Sequence, residues 1–159
     1  KLCTTWRIMH WLASHQGLES LVASSSTFQT IVGAADETAA KPYIHFGGTD
    51  GEPSRPCALI SVDGGNVEET TSFSASGSLV LSLEVPATEY STGTREERFV
   101  LFLTDIDSIL SQMNTNGRDG TVNWRMVGFE SVVPPHLKSD FEGDPEEPYY
   151  TASFLIRWT

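Results

Sequence analysis

The sequence predicts an α+β domain. It consists of a mixed, mostly antiparallel sheet, one long helix over about 95–113 packed on it, and an N-terminal helix over about 4–22. Three observations carry this prediction. Phe99, Phe102, Leu103, Ile106, Ile109, Leu110 and Met113 recur at i, i+3, i+4, i+7, the period of a half-buried helix. Leu79, Leu81, Leu83 and Val85 alternate with Val80, Ser82 and Glu84, the period of a strand with one apolar face. Tyr150, Ala152, Phe154, Ile156 and Trp158 repeat that alternation at the C-terminal end. A long amphipathic helix between strands buries its stripe by lying on the sheet they form.

The elements follow in chain order. Leu2, Trp6, Met9 and Leu12 or Ala13 make an apolar stripe on the first helix, with Thr4 or Thr5 as its cap and a break expected near Gly17. Ser24-Ser25-Ser26 ends that pattern. Phe28 to Val32 and Tyr43 to Phe46 read as short strands, and Ala34 to Ala40 between them as a helical turn or a loop. The span from about 33 to 56 is expected to be a long variable loop region, since Gly47 to Pro56 alone holds three Gly and two Pro.

Cys57 to Val62 is a β-like run stopped by Asp63-Gly64-Gly65-Asn66, whose residues tolerate the positive φ of a hairpin turn. Glu68 to Ser74 is the returning strand, and Gly77 allows a turn or a bulge. Pro86 ends the Leu79 to Val85 ladder because it has no N–H to donate. Thr94 and Glu97 match a capping box at the start of the long helix, and Asn114 to Gly120 supplies its end. A strand from Val122 to Phe129 places Val122, Trp124 and Met126 on one face. Pro134 to Pro148 is an acidic, proline-rich loop, in which Asp140, Glu142, Asp144, Glu146 and Glu147 repel one another.

The chain has 159 residues, one domain's worth, and is 39% hydrophobic, enough for a core without a metal or disulfide staple. With 21 acidic against 10 basic residues the net charge is −11, which opposes binding to a phosphate backbone or an anionic membrane. Cys3 and Cys57 are too few for a disulfide framework and are expected to be reduced. No apolar run approaches the roughly 20 residues of a membrane span. The N-terminus lacks the apolar stretch of a signal peptide.

No motif in the sequence carries chemistry, and no enzyme, cofactor or metal is expected. His10 and His15 are five apart rather than the four of a helical metal pair, and His45 and His136 are isolated. Asp105 and Asp107, two apart on a helix, point away from each other. Gly47 to Gly51 lacks the Lys and following helix of a phosphate cradle, and the acidic loop lacks the twelve-residue calcium pattern. Cys57 has no histidine near it in sequence.

The order of elements from Ser78 onward is a strand, a spacer, the Arg95-Glu96-Glu97-Arg98-Phe99 helix, a strand, an acidic loop and an aromatic last strand ending at Trp158. This layout resembles the tail terminator and neck proteins of long-tailed bacteriophages. The resemblance implies a virion ring, usually of six subunits, that caps the tail tube and joins it to the head through neck or connector proteins. DNA would pass through its lumen without specific binding, and the family has no active site to transfer. It also implies subunit contacts on loops and sheet edges. By position these are Asp50, Glu52 and Arg55 in the Gly47 to Arg55 loop, Glu89, Tyr90 and Arg95 at the spacer, and Asp140, Glu142 and Asp144 in the acidic loop.

Two alternatives stand beside the ring. One is another neck, head-completion or tail-tube-like phage protein. The other is a small-molecule or carbohydrate-binding β-rich domain, in which Trp6, Trp11 or Trp124 would stack on a sugar. For the core, the helix stripe predicts that Leu103→Asp unfolds or aggregates the protein, since an unpaired buried charge costs several kcal/mol.

Overall fold

The computed structural model describes residues 2–47, 53–62, 68–71, 74–139 and 147–158, and only the backbone of 2–11, 68–71 and 74–76. The architecture is α+β. The helices are α1 (Leu2–Ser24), α2 (Ser26–Val32), α3 (Glu37–Ala40) and α4 (Arg95–Arg118). The strands are β1 (Ile44–Phe46), β2 (Cys57–Val62), β3 (Glu68–Thr71), β4 (Ser74–Pro86), β5 (Met126–Lys138) and β6 (Tyr149–Trp158). Strand order is β1-β2-β4-β6-β5, with β3 paired to the start of β4. Only β1 and β2 are parallel; the other pairs are antiparallel.

The alternation along β4 and β6 sets the two faces of the sheet. Leu79, Leu81, Leu83 and Val85 on β4 lie beside Ile156, Phe154, Ala152 and Tyr150 on β6, and all are buried. They share one core with Phe102, Ile106, Ile109, Leu110 and Met113 of α4 and with Leu18, Leu21 and Val22 of α1. The opposite face is polar at its centre, where the Ser82 and Ser153 hydroxyls pair at 2.7 Å.

α1 departs from the sequence reading in three ways. It runs through Gly17 without a break, and Thr4 and Thr5 lie inside it rather than at its cap. Leu12 and Ala13 are exposed, while Ser14, Leu18, Leu21 and Val22 are buried. The buried face is therefore the one carrying the small Ser14 and Gly17, where neighbours approach closely.

Phe28 to Val32 forms α2 and not a strand. Ser25 accepts the Phe28 N–H at 3.2 Å, and Gly33 closes the helix at φ 70°. Phe28, Ile31 and Val32 in this short stretch fit either period, and the two caps decide it. The expected loop region of 33–56 is partly structured, with α3 capped by Asp36, a 3-10 turn at Lys41–Tyr43 and β1. Its Gly48 to Glu52 stretch and the Asp63 to Asn66 turn lie outside the described residues.

β4 passes through Gly77 without a turn. A Cβ there would sit 2.9 Å from the Trp158 ring, so the glycine makes room for the indole on the neighbouring strand. α4 begins with the expected capping box: Thr94 N–H donates to Glu97 at 2.7 Å, and Glu97 N–H donates to the Thr94 hydroxyl at 3.2 Å. It extends past Met113 to Arg118. Leu103 is 36% exposed and lies on the helix flank, so it is not the core residue its spacing suggested.

β5 begins later than Val122 and continues through Pro134 and Pro135 to Lys138. Residues 134–138 are therefore strand and not part of the acidic loop. An edge strand tolerates proline because the missing N–H would face solvent. Of its expected apolar face, Val122 and Met126 are buried, and Trp124 is partly buried ahead of the strand.

Candidate subunit-interface surface

Of the nine positions that the resemblance pointed to, Asp50, Glu52, Asp140, Glu142 and Asp144 lie outside the described residues. Of the other four, Arg55 is half-buried, Tyr90 is buried, and Glu89 and Arg95 are exposed. Arg55 is tied down: its Nε donates to Glu84 at 2.9 Å, and its guanidinium lies 3.6 Å from the Tyr149 ring centroid. Cys57 sits beside this pair, with Sγ 3.9 Å from the same Glu84 oxygen. Burial, followed by the Glu84 charge, pushes the thiol up to about 12. A thiol held neutral in this way is a weak nucleophile.

Tyr90 is buried too. Its hydroxyl donates to Asp105 at 2.7 Å, and its ring packs edge-on against Phe102 and Tyr150. Burial and this hydrogen bond raise its phenol above the ordinary value. The contact fastens the spacer to α4, so Tyr90 helps to hold the fold. Glu89 and Arg95 are exposed.

Arg95 lines a cleft of about 370 Å³ with Glu96, Phe99, Pro135, His136, Leu137 and Tyr150. The cleft forms where the first turn of α4 meets the C-terminal end of β5. His136 Nδ1 lies 2.8 Å from the Pro134 carbonyl, which can only accept, so Nδ1 carries a proton toward it.

The larger feature is apolar. β5 is the sheet's edge, and Val127, Phe129, Val132 and Val133 on it are all exposed. Val100 and Leu101 on α4 are exposed as well. The stretch from Met126 to Leu137 carries one charged side chain, Glu130, which accepts from Arg157 on β6 at 2.8 Å. Edge strands are commonly guarded by charge, and this charge is already paired. The sequence reading missed this surface because it read the first half of β5 by its alternation and the second half as loop. The signal available to it was the run Val-Gly-Phe-Glu-Ser-Val-Val, apolar on both faces.

The chemistry-bearing candidates stay apart. His15 packs edge-on against Phe46 at 5.3 Å, and His45 is half-buried on β1. Asp105 serves Tyr90, while Asp107 faces solvent. Among the described residues, no three His, Cys, Asp or Glu are placed to hold a metal ion, and no helix is long and apolar enough to cross a membrane. Trp124 packs against Gly17 and is not an open stacking platform. The side chains of Trp6, Trp11, His10 and Cys3 lie outside the described residues. No family model matches the chain, and no curated protein sequence matches it.

Proposed function

We propose that this chain is a structural subunit of a phage virion, a tail-terminator-like protein that forms a ring, caps the tail tube and joins it to the neck. The observation that carries this reading is the β5 edge, a 13-residue strand with four exposed apolar side chains and its single mid-strand charge paired. A monomer gains nothing from such an edge, whereas an assembling subunit uses it for contact. The order of strand, spacer, long helix, strand and aromatic last strand supports the same reading.

In this role the chain is not an enzyme and takes no cofactor. Its partners are its own copies, six to a ring, together with the tail tube protein and the neck or connector proteins. The net charge of −11 suits a lumen through which DNA slides without being held. The test is the mass of the purified protein by light scattering over a concentration series, alone and with a tail tube protein, and electron microscopy of the same samples. Closed rings, formed alone or on the tube end, are expected. A chain that stays monomeric and ignores the tube overturns the proposal.

The cleft beside Arg95 favours a second reading, a binding site for a small ligand with an apolar body. A thermal-shift screen with sugars, nucleotides and aromatic acids tests it. A rise in melting temperature that Phe99→Ala abolishes supports a ligand site, and a flat screen removes this reading.

A further inference from the structure

The cleft between α4 and β5 is selective in its chemistry. We propose that it binds the zwitterion of an aromatic α-amino acid, with the aromatic side chain on the floor, the carboxylate at Arg95 and the ammonium at Glu96. This deepens the reading of the cleft as a small-ligand site and rests on it. It is independent of whether the chain assembles into a ring.

The floor selects an aromatic side chain. Phe99 and Tyr150 lie with their ring centroids 6.2 Å apart and their planes tilted by 33°. Tyr150 in turn stacks on Phe102 at 5.2 Å and meets Tyr90 edge-on at 5.6 Å. The Tyr90 hydroxyl is fastened to Asp105, so this row of rings is held in place before any ligand arrives. Phe99 is its half-buried outer end, and Leu137 adds an apolar wall. A flat ring laid there continues the row, in the offset or edge-on geometry that aromatic pairs prefer.

The rim selects the charges. Arg95 and Glu96 both line the cleft, and both are exposed. As consecutive helix residues they point about 100° apart. Among the described residues, neither side chain makes an ion pair or a hydrogen bond. A guanidinium fork and a carboxylate at separate points of one rim match a carboxylate and an ammonium on one small molecule. Charge disfavours the simpler ligands. An acid alone would meet Glu96 and the field of a chain of net charge −11, and an amine alone would meet Arg95. A zwitterion has no net charge to repel. The volume of about 370 Å³ lies near the lower end of small-molecule sites, roughly 300–1,000 Å³, which suits an amino acid and not a dinucleotide.

The experiment is an amide chemical-shift titration of the isotope-labelled chain. The probes are L-phenylalanine, phenylpropionate (no ammonium), phenethylamine (no carboxylate) and L-alanine (no ring). Phenylalanine is expected to shift the amides of Arg95, Glu96, Phe99, His136 and Leu137. It is expected to bind about tenfold or more tightly than each of the other three, because each lacks one of the contacts. Arg95→Gln should weaken phenylalanine and phenylpropionate and leave phenethylamine unchanged. Glu96→Gln should weaken phenylalanine and phenethylamine and leave phenylpropionate unchanged. Both residues are exposed and neither belongs to the Thr94–Glu97 capping box, so both variants keep the fold.

Phenylpropionate or phenethylamine binding as tightly as phenylalanine overturns the zwitterion and leaves the cleft as a ligand site of another kind. So do Arg95→Gln and Glu96→Gln chains that bind phenylalanine like the parent. Phenylalanine that shifts no amide also overturns the proposal. The thermal-shift screen then separates the two readings: a rise that Phe99→Ala abolishes keeps the cleft as a ligand site, and a flat screen removes both.

Discussion

Gly17 of α1 lies directly against the indole of Trp124, so that a Cβ at this glycine would fall inside the ring's contact distance. Gly117 of α4 makes the matching approach on the other side, where a Cβ would sit 2.9 Å from the Trp124 carbonyl oxygen. Trp124 therefore touches the two longest helices, its ring against Gly17 and its backbone against Gly117. Two opposed terms act on Gly17→Ala. Helix propensity favours alanine by about 1 kcal/mol, and overpacking against the ring costs about 1–3 kcal/mol. Backbone hydrogen bonds hold both helices, so the clash wins and the variant loses about 1–2 kcal/mol on balance. In a Trp124→Ala background the clash is gone and the same substitution should stabilise by a few tenths to about 1 kcal/mol. Urea denaturation of the four proteins reads this cycle. Additive effects would show that the ring is not what forbids a side chain at Gly17.

Gln112 of α4 fastens the junction between α1 and α2. Its Oε1 accepts from the Ser25 hydroxyl at 2.6 Å and from Thr27 N–H at 3.1 Å, and its Nε2 donates to the Thr27 hydroxyl at 3.0 Å. Ser25 is fully buried and also caps α2. Gln112→Ala should cost about 1–3 kcal/mol, because it leaves buried polar groups without partners. Gln112→Glu keeps the acceptor but loses the donor and should fall between. Melting curves that are the same for all three chains would show that water replaces the side chain at no cost.

The flank of α4 gives a paired comparison. Phe102 is 1% exposed and stacks on Tyr150 at 5.2 Å, whereas Leu103 is 36% exposed. Phe102→Asp should abolish folding, since an unpaired charge enters the core at a cost of several kcal/mol. Leu103→Asp should stay folded with a loss of about 1 kcal/mol or less, the range of a surface substitution. Circular dichroism and gel filtration of the two variants decide it. An insoluble Leu103→Asp chain would mean that the flank is covered by another part of the chain.

How far the sequence was legible follows from where packing chooses between equal local options. The α4 cap was readable because Thr94 and Glu97 act on neighbours three residues away. The strands β4 and β6 were readable because their alternation is long enough to exclude a helix. α2 was not, because its apolar Phe28, Ile31 and Val32 fit both periods and the deciding bonds come from Ser25 and Gly33. On α1 the stripe traced through Leu12 or Ala13 missed the buried Ser14, Leu18, Leu21 and Val22, a face that includes a small polar residue hydropathy does not mark. The anchoring of Arg55 and Tyr90 was not legible in the sequence. Their partners, Glu84 and Tyr149 for one and Asp105 for the other, lie 15 to 94 residues away, where local pattern does not reach.

Cys57 links burial to pH. Its thiol is pushed from the ordinary 9.0 up to about 12, first by burial and then by the Glu84 charge. The folded chain therefore prefers the neutral thiol more strongly than the unfolded chain does. That preference contributes its full stability below about pH 9 and is lost as pH rises through about 12. The Tyr90 phenol, also raised, acts in the same direction at high pH, so the comparison must be made between variants. Cys57→Ala should unfold less steeply between pH 9 and pH 12 than the parent chain, and both should retain the Tyr90 contribution. At neutral pH the parent thiol should ignore a disulfide reagent until urea opens the fold. Glu84→Gln removes the neighbouring charge and lowers the thiol's pKa, so it should speed the native-state reaction. A thiol that reacts at the unfolded rate in native buffer, or parallel alkaline unfolding curves, would show that Cys57 is open to solvent and that its titration is not coupled to folding.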